Sequence, residues 1–180
     1  MAKGKTCSFG GFTSPRVPAG QYKAVITKGK DVFEHVFTVE NDPKIGLTAE
    51  EYQKKFATTM VVYDMTQELA YMIYELDAYL EYFQENDQKM AKKLMALKET
   101  LVITKGDNYV GAAESQLREK MADLYAKLAD SYNVPSQAEL DNLAALQKRF
   151  EEAKEAYAKL KKKMKSAELE LMSFEAFIEA

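Results

Sequence analysis

Between residues 39 and 51 the chain reads Val39-Glu-Asn-Asp-Pro-Lys-Ile-Gly-Leu-Thr-Ala-Glu-Glu51, and its character changes within that stretch. Upstream of it apolar residues alternate with polar ones; downstream they recur at steps of three and four. Pro43 lacks the N–H that a strand ladder needs, so the β pattern stops there. Thr48-Ala-Glu-Glu51 is a capping box, in which the Thr48 hydroxyl and the Glu51 carboxylate satisfy amides left open at a helix start. The stretch divides the chain into a β-hairpin region, 1–45, and a helical bundle, 46–180. The predicted fold is mainly α: an antiparallel bundle of about four helices, two long and two short, with a small N-terminal hairpin or partial β-sandwich.

In the β region, Tyr22, Ala24 and Ile26 alternate with Lys23, Val25 and Thr27. Lys28-Gly29-Lys30 supplies a turn, after which Phe33, His35, Phe37 and Val39 alternate with Glu34, Val36 and Thr38. This predicts a two-stranded hairpin. A lone hairpin is marginal in water, so it is expected to lean on the helices or on further strands. Residues 1–16, with Gly4, Gly10, Gly11 and Pro15, leave room for one more short strand, so the sheet reads as incomplete and Met1 as a start within a longer protein.

Downstream, Val62, Met65, Leu69, Met72, Leu76, Tyr79 and Phe83 make one continuous apolar seam on a long helix. Met90, Leu94, Leu97 and Leu101 mark a shorter helix, and Leu117, Met121, Leu124 and Leu128 another, with a loop around Gly106–Gly111. Ser136-Gln-Ala-Glu139 is a second capping box. From Leu143 through Phe150, Tyr157, Met164, Leu171, Phe174 and Ile178 heptad spacing predicts one helix to the end of the chain. The two short helices together match one long rod, giving three rods with the middle one broken near Gly106. The apolar run from Leu169 through Leu171 and Phe174 to Ile178 is a candidate interface, for a homo-oligomer or for another domain.

Composition narrows the function. With 180 residues, 47% hydrophobic and 29% charged, the chain suits one domain or slightly more. A net charge of -3 gives no broad basic field, so nucleic acid and anionic membrane are disfavoured as partners. No stretch approaches the roughly 18 apolar residues of a membrane span, and residues 1–5 are followed by no signal-peptide core. Cys7 is the only cysteine, which excludes an internal disulfide and a multi-cysteine zinc site.

His35 is the only histidine, so neither a di-iron bundle nor a helical zinc site can be assembled. It is expected as a half-buried, hydrogen-bonded ring on the aromatic strand face. No strained nucleophile turn or glycine-rich phosphate loop is present, and the 28 acids read as solvated helix faces. No catalytic residue, metal site or cofactor is predicted. The run Lys159, Lys161, Lys162, Lys163 and Lys165 reads as a solvated face. Tyr63, Tyr71, Tyr74 and Tyr82 lie off the apolar seam, where they either pack under a neighbouring element or offer rings to a partner or a glycan.

The run Gly11-Phe-Thr-Ser-Pro-Arg-Val-Pro-Ala-Gly-Gln-Tyr22, the Lys23-to-Lys30 turn and the exit Phe37-Thr-Val-Glu-Asn-Asp-Pro-Lys44 resemble the C-terminal region of large bacterial proteins carrying sortilin-like, Asp-box (BNR-repeat) β-propellers. Tyr63-Asp-Met-Thr-Gln-Glu-Leu-Ala-Tyr71, Gly106-Asp-Asn-Tyr-Val-Gly111, Gln116 to Tyr125 and Ser131-Tyr-Asn-Val-Pro-Ser136 resemble its helical tail, in the same order. The resemblance implies the last strands of an immunoglobulin- or fibronectin-like module followed by a bundle. It also implies an upstream propeller, often labelled glycosyl hydrolase, as the partner, and a periplasmic or extracellular setting. None of the family's catalytic residues maps onto this chain. The expected function is a non-catalytic C-terminal accessory module that docks or spaces the propeller. The alternatives are a carbohydrate-binding or hydrolase-associated module and a stand-alone helical interaction protein, the last requiring the hairpin's outer edge to be covered within the chain.

Overall fold

A computed structural model describes residues 14–105, 113–164, 167 and 169–179. The readings placed on Cys7, on residues 1–13 and on the Gly106–Gly111 loop fall outside the described residues. Mainly helical, the chain carries a two-stranded antiparallel hairpin ahead of its helices, as the sequence predicts.

Helix α1 spans Ala49–Asn86, 38 residues, and starts on the predicted capping box. The Thr48 N–H donates to Glu51 Oε2 at 2.7 Å, and the Glu51 N–H donates back to Thr48 Oγ1 at 3.2 Å. One residue both ends α1 and starts α2 (Gln88–Leu101): Asp87 leaves the helical region at φ -155°, and its carboxylate accepts from the amides of Lys89 and Met90. The reversal is therefore tight. Helix α3 spans Leu117–Asp130 and α4 Gln137–Lys161, the latter opened by the Ser136–Glu139 box; α5 is a single short turn, Phe174–Glu179.

Hydrogen bonds to the backbone amide and hydroxyl of Thr48 hold the Glu51 carboxyl below its ordinary value of 4.5, and those from Ser136 do the same for Glu139. A depressed folded value means that the stabilisation is complete above pH 4.5 and fades as the carboxylates protonate. The gap in melting temperature between wild type and a Glu51→Ala/Glu139→Ala variant is thus expected to narrow from pH 6 to pH 3. A constant gap would show that these caps do not act through charge.

Cross-contacts give the directions of the rods. Lys98 pairs with Asp77, and the ring of Tyr125 lies 6.0 Å from that of Tyr63, so α2 and α3 follow one another down α1 as one broken antiparallel rod. Lys154 meets Glu68 at 3.4 Å and Lys161 meets Glu75 at 2.6 Å, so α4 runs back parallel to α1. Leu69, Leu76, Leu94, Leu124, Leu128 and Phe150 fill the seam between the rods, each essentially buried. Each such side chain contributes about 1.5–3 kcal/mol of hydrophobic stabilisation.

The long C-terminal helix does not reach the end of the chain. It stops at Lys161, and Lys163 and Met164 close a tighter turn by donating to the carbonyls of Leu160 and Lys161. The physical reason lies in the length of α1. Lys161 sits level with Glu75, so a straight continuation would pass the last residue of α1 after some eleven residues and leave Phe174 and Ile178 without a neighbour. Turning at 162–164 instead buries Met164 and Ala167 and returns Phe177 to α1.

Strands β1 (Gly20–Lys28) and β2 (Asp31–Val39) pair in continuous register, Tyr22 opposite Phe37 and Ile26 opposite Phe33. Gly29, at φ 63°, supplies the positive φ that two-residue hairpin turns require at their first position. A Cβ there would meet nothing within 4 Å, so the cost of Gly29→Val is backbone strain alone, about 1–3 kcal/mol. That variant should lose the hairpin's amide shift dispersion while the helical signals stay in place.

The expectation that the hairpin leans on the helices is not met: neither strand packs against a helix, and the sheet has two strands among the described residues. The helical seams already close on one another. The hairpin, in turn, is apolar on both faces, with Val25, Val32 and Val36 on one and Ile26, Phe33 and Phe37 on the other, all 43–64% exposed. His35, expected half-buried, is exposed for the same reason.

Candidate functional site

Among the described residues no group of three or more His, Cys, Asp or Glu is placed to hold a metal ion, and no helix is long and apolar enough to cross a membrane. A shallow open cleft of about 250 Å³ at the α1–α2 corner is lined by Leu80, Gln84, Gln88, Ala91, Lys92 and Met95 and holds no paired acid and base.

Of the four tyrosines expected either to pack under a neighbouring element or to offer a surface, two meet the candidate C-terminal interface within the chain itself. The Tyr71 ring lies 5.4 Å from Phe174 and 5.5 Å from Phe177, both edge-on, and Tyr74 lies 5.3 Å from Phe177. The Tyr71 hydroxyl donates to the Met172 carbonyl at 2.8 Å, and the Met172 N–H donates to the Tyr74 hydroxyl at 3.2 Å. Two tyrosines one turn apart thus hold both backbone groups of one residue. Tyr63 packs on Tyr125, and Tyr82 stands edge-on to Phe83 at 5.0 Å. The four do not form one shared open face.

Within the candidate interface, Leu169 and Leu171 pack against the core and Phe174 is half-buried, while Ile178 is 40% exposed. Phe177, fully buried, was missed by sequence reasoning because it falls outside the heptad register; the pair Phe174-x-x-Phe177, matching Tyr71-x-x-Tyr74 in spacing, was the available signal.

Also missed was a buried acid. Glu75 is 6% exposed; its Oε2 accepts from the Tyr157 hydroxyl at 3.0 Å and its Oε1 from Lys161 at 2.6 Å. Burial first, then the charge of Glu75, pushes the Tyr157 phenol well above its ordinary value. Both carboxylate oxygens are satisfied, and the group ties α1 to α4. A second buried acid, Glu119, is held by Arg118 and by the Gln116 amide. Neither acid lines the α1–α2 cleft. Of the lysine run, Lys159 pairs with Glu155 and Lys161 with Glu75, while Lys162 and Lys163 are exposed.

What remains unsatisfied is the hairpin. Its two edges differ in sign: residues 14–30 carry Arg16, Lys23, Lys28 and Lys30 and no acid, whereas residues 31–43 carry Asp31, Glu34, Glu40 and Asp42 and no lysine or arginine. One pair crosses between them, Lys23 to Glu34 at 3.0 Å. Comparison with protein families, with curated proteins and with solved structures finds no match.

Proposed function

We propose that this chain is a non-catalytic interaction module, a helical bundle that presents part of a β module for completion by strands lying outside residues 14–179. One observation carries this reading: a hairpin of two nine-residue strands, apolar on both faces, rests on no helix and has no third strand among the described residues. A two-stranded ribbon of that kind is marginal by itself. Strands that extend it and a layer that covers it would bury six large apolar side chains.

The resemblance to Asp-box propeller proteins suggests the supplier of those strands, an upstream part of the same exported polypeptide, with this chain as its docking or spacing tail. The stand-alone reading needs the hairpin's outer edge covered from within, and no described residue does so. A glycan surface at the tyrosines is weakened by α5, which occupies Tyr71 and Tyr74. Reading the coding DNA upstream of residue 1 tests the proposal. An open frame continuing into Asp-box strands supports the tail assignment; a stop codon and ribosome-binding site directly before residue 1 overturns it.

A further inference from the structure

We infer that the edge of the hairpin that accepts an added strand is β2, and that the strand it accepts is basic: an extended segment in which lysine or arginine alternates with β-branched or aromatic residues. This rests on the interaction reading above and gives the partner its chemistry.

The turn fixes which backbone groups face outward. A two-residue turn makes Lys28 and Asp31 a pair that exchanges both hydrogen bonds, and bonded and non-bonded pairs then alternate along the ladder. The outward amides and carbonyls are therefore those of Val32, Glu34, Val36 and Thr38 on β2, and of Gln21, Lys23, Val25 and Thr27 on β1. The β1 edge is blunted in the ways natural edges are: lysines along it, and Pro18, which has no N–H to offer, just before it. The β2 edge has no lysine, proline or bulge over nine residues. It is open.

Its charge chooses the occupant. Asp31, Glu34, Glu40 and Asp42 border β2, with Lys23 as the one cation bonded across from them. Opposite charges facing each other across strands stabilise a sheet, and like charges directly opposite destabilise it. A second copy is therefore a poor occupant: β2 against β2 sets acid beside acid, and β1 against β1 sets base beside base. Joining β1 of one copy to β2 of another, both hairpins pointing the same way, places the copies two strand spacings apart, about 10 Å. A bundle of rods packed at roughly 8–10 Å from axis to axis is wider than that.

The test uses the whole ¹⁵N-labelled chain and two nine-residue peptides, one alternating lysine with valine and the other glutamate with valine. Each is N-methylated at every second amide, so that it offers a single pairing edge. The lysine peptide is expected to shift the amides of Val32, Glu34, Val36 and Thr38 and to slow their exchange. It should bind about tenfold more tightly than the glutamate peptide, the equivalent of ~1.4 kcal/mol. An Asp31→Lys/Glu34→Lys variant, with the inward-bonded Phe33 and His35 amides still protected, should reverse that preference.

A response confined to Gln21, Lys23, Val25 and Thr27, or equal binding of both peptides, overturns the assignment of edge and charge and leaves the interaction reading standing. Protection of the β2 amides that rises with protein concentration instead assigns the edge to a second copy and overturns the basic partner. If neither peptide moves any hairpin amide, the interaction reading fails with it.

Discussion

Phe150→Ala is expected to lower the unfolding free energy by about 3–5 kcal/mol, the range for deleting a large buried aromatic ring. Phe150 is 1% exposed on the inner face of α4, with the Lys154 ammonium 4.7 Å from its ring centroid. Alanine leaves a void between rods that three-helix packing cannot collapse without shifting α4 along its length. Domains of this size are stable by about 5–15 kcal/mol, so the variant stands near the unfolding threshold at 37 °C. Phe150→Leu keeps most of the volume and should cost less than half as much. Urea titration of the two variants checks the argument: equal midpoints would mean that α4 is not seated in the core at this point.

The second large effect is at Glu75. Removing one partner of a buried ion pair costs about 3–5 kcal/mol, and Lys161→Met should fall at the lower end because the Lys161 side chain is half-exposed. Glu75→Leu leaves the Tyr157 hydroxyl buried without an acceptor, about 1–3 kcal/mol. The double variant Glu75→Leu/Lys161→Met leaves no stranded charge and should cost no more than Glu75→Leu alone, because the Tyr157 hydroxyl is left without its acceptor in both. A double-mutant cycle with no coupling would show that the pair is incidental.

Tyr157 adds a pH signature. Its folded value is raised, chiefly by burial, so its contribution is fully present below the ordinary value of 10.0 and is lost as pH rises beyond it. Alkaline melts should therefore fall more steeply for wild type than for Tyr157→Phe above pH 10. Parallel curves would remove the argument.

The three-rod body was legible because packing leaves a periodic record. The seam from Val62 to Phe83 and both capping boxes are local patterns, and the structure uses each one as written. The end of α4 was not legible, because heptad spacing at Leu171, Phe174 and Ile178 is the same whether the segment runs on or doubles back. What decides is the distance from Glu75 to the end of α1, a tertiary quantity. Alternation in the hairpin likewise specifies two faces and a register. It carries no information on whether anything covers them, and so His35 was expected half-buried where the structure exposes it. Phe177 and Glu75 lie where one-dimensional templates have no slot: one off the heptad, the other a lone acid between buried positions.

The hold of Tyr71 and Tyr74 on Met172 is addressed to the N–H and C=O of that residue and ignores its side chain, which points to solvent at 39% exposure. Position 172 is thus free to drift through the amino-acid alphabet, proline excepted, while the attachment survives. The two tyrosines and Phe177 carry the inherited information for fastening the tail, and a search for distant kin of this chain should weigh those three positions and discount the residue they grip.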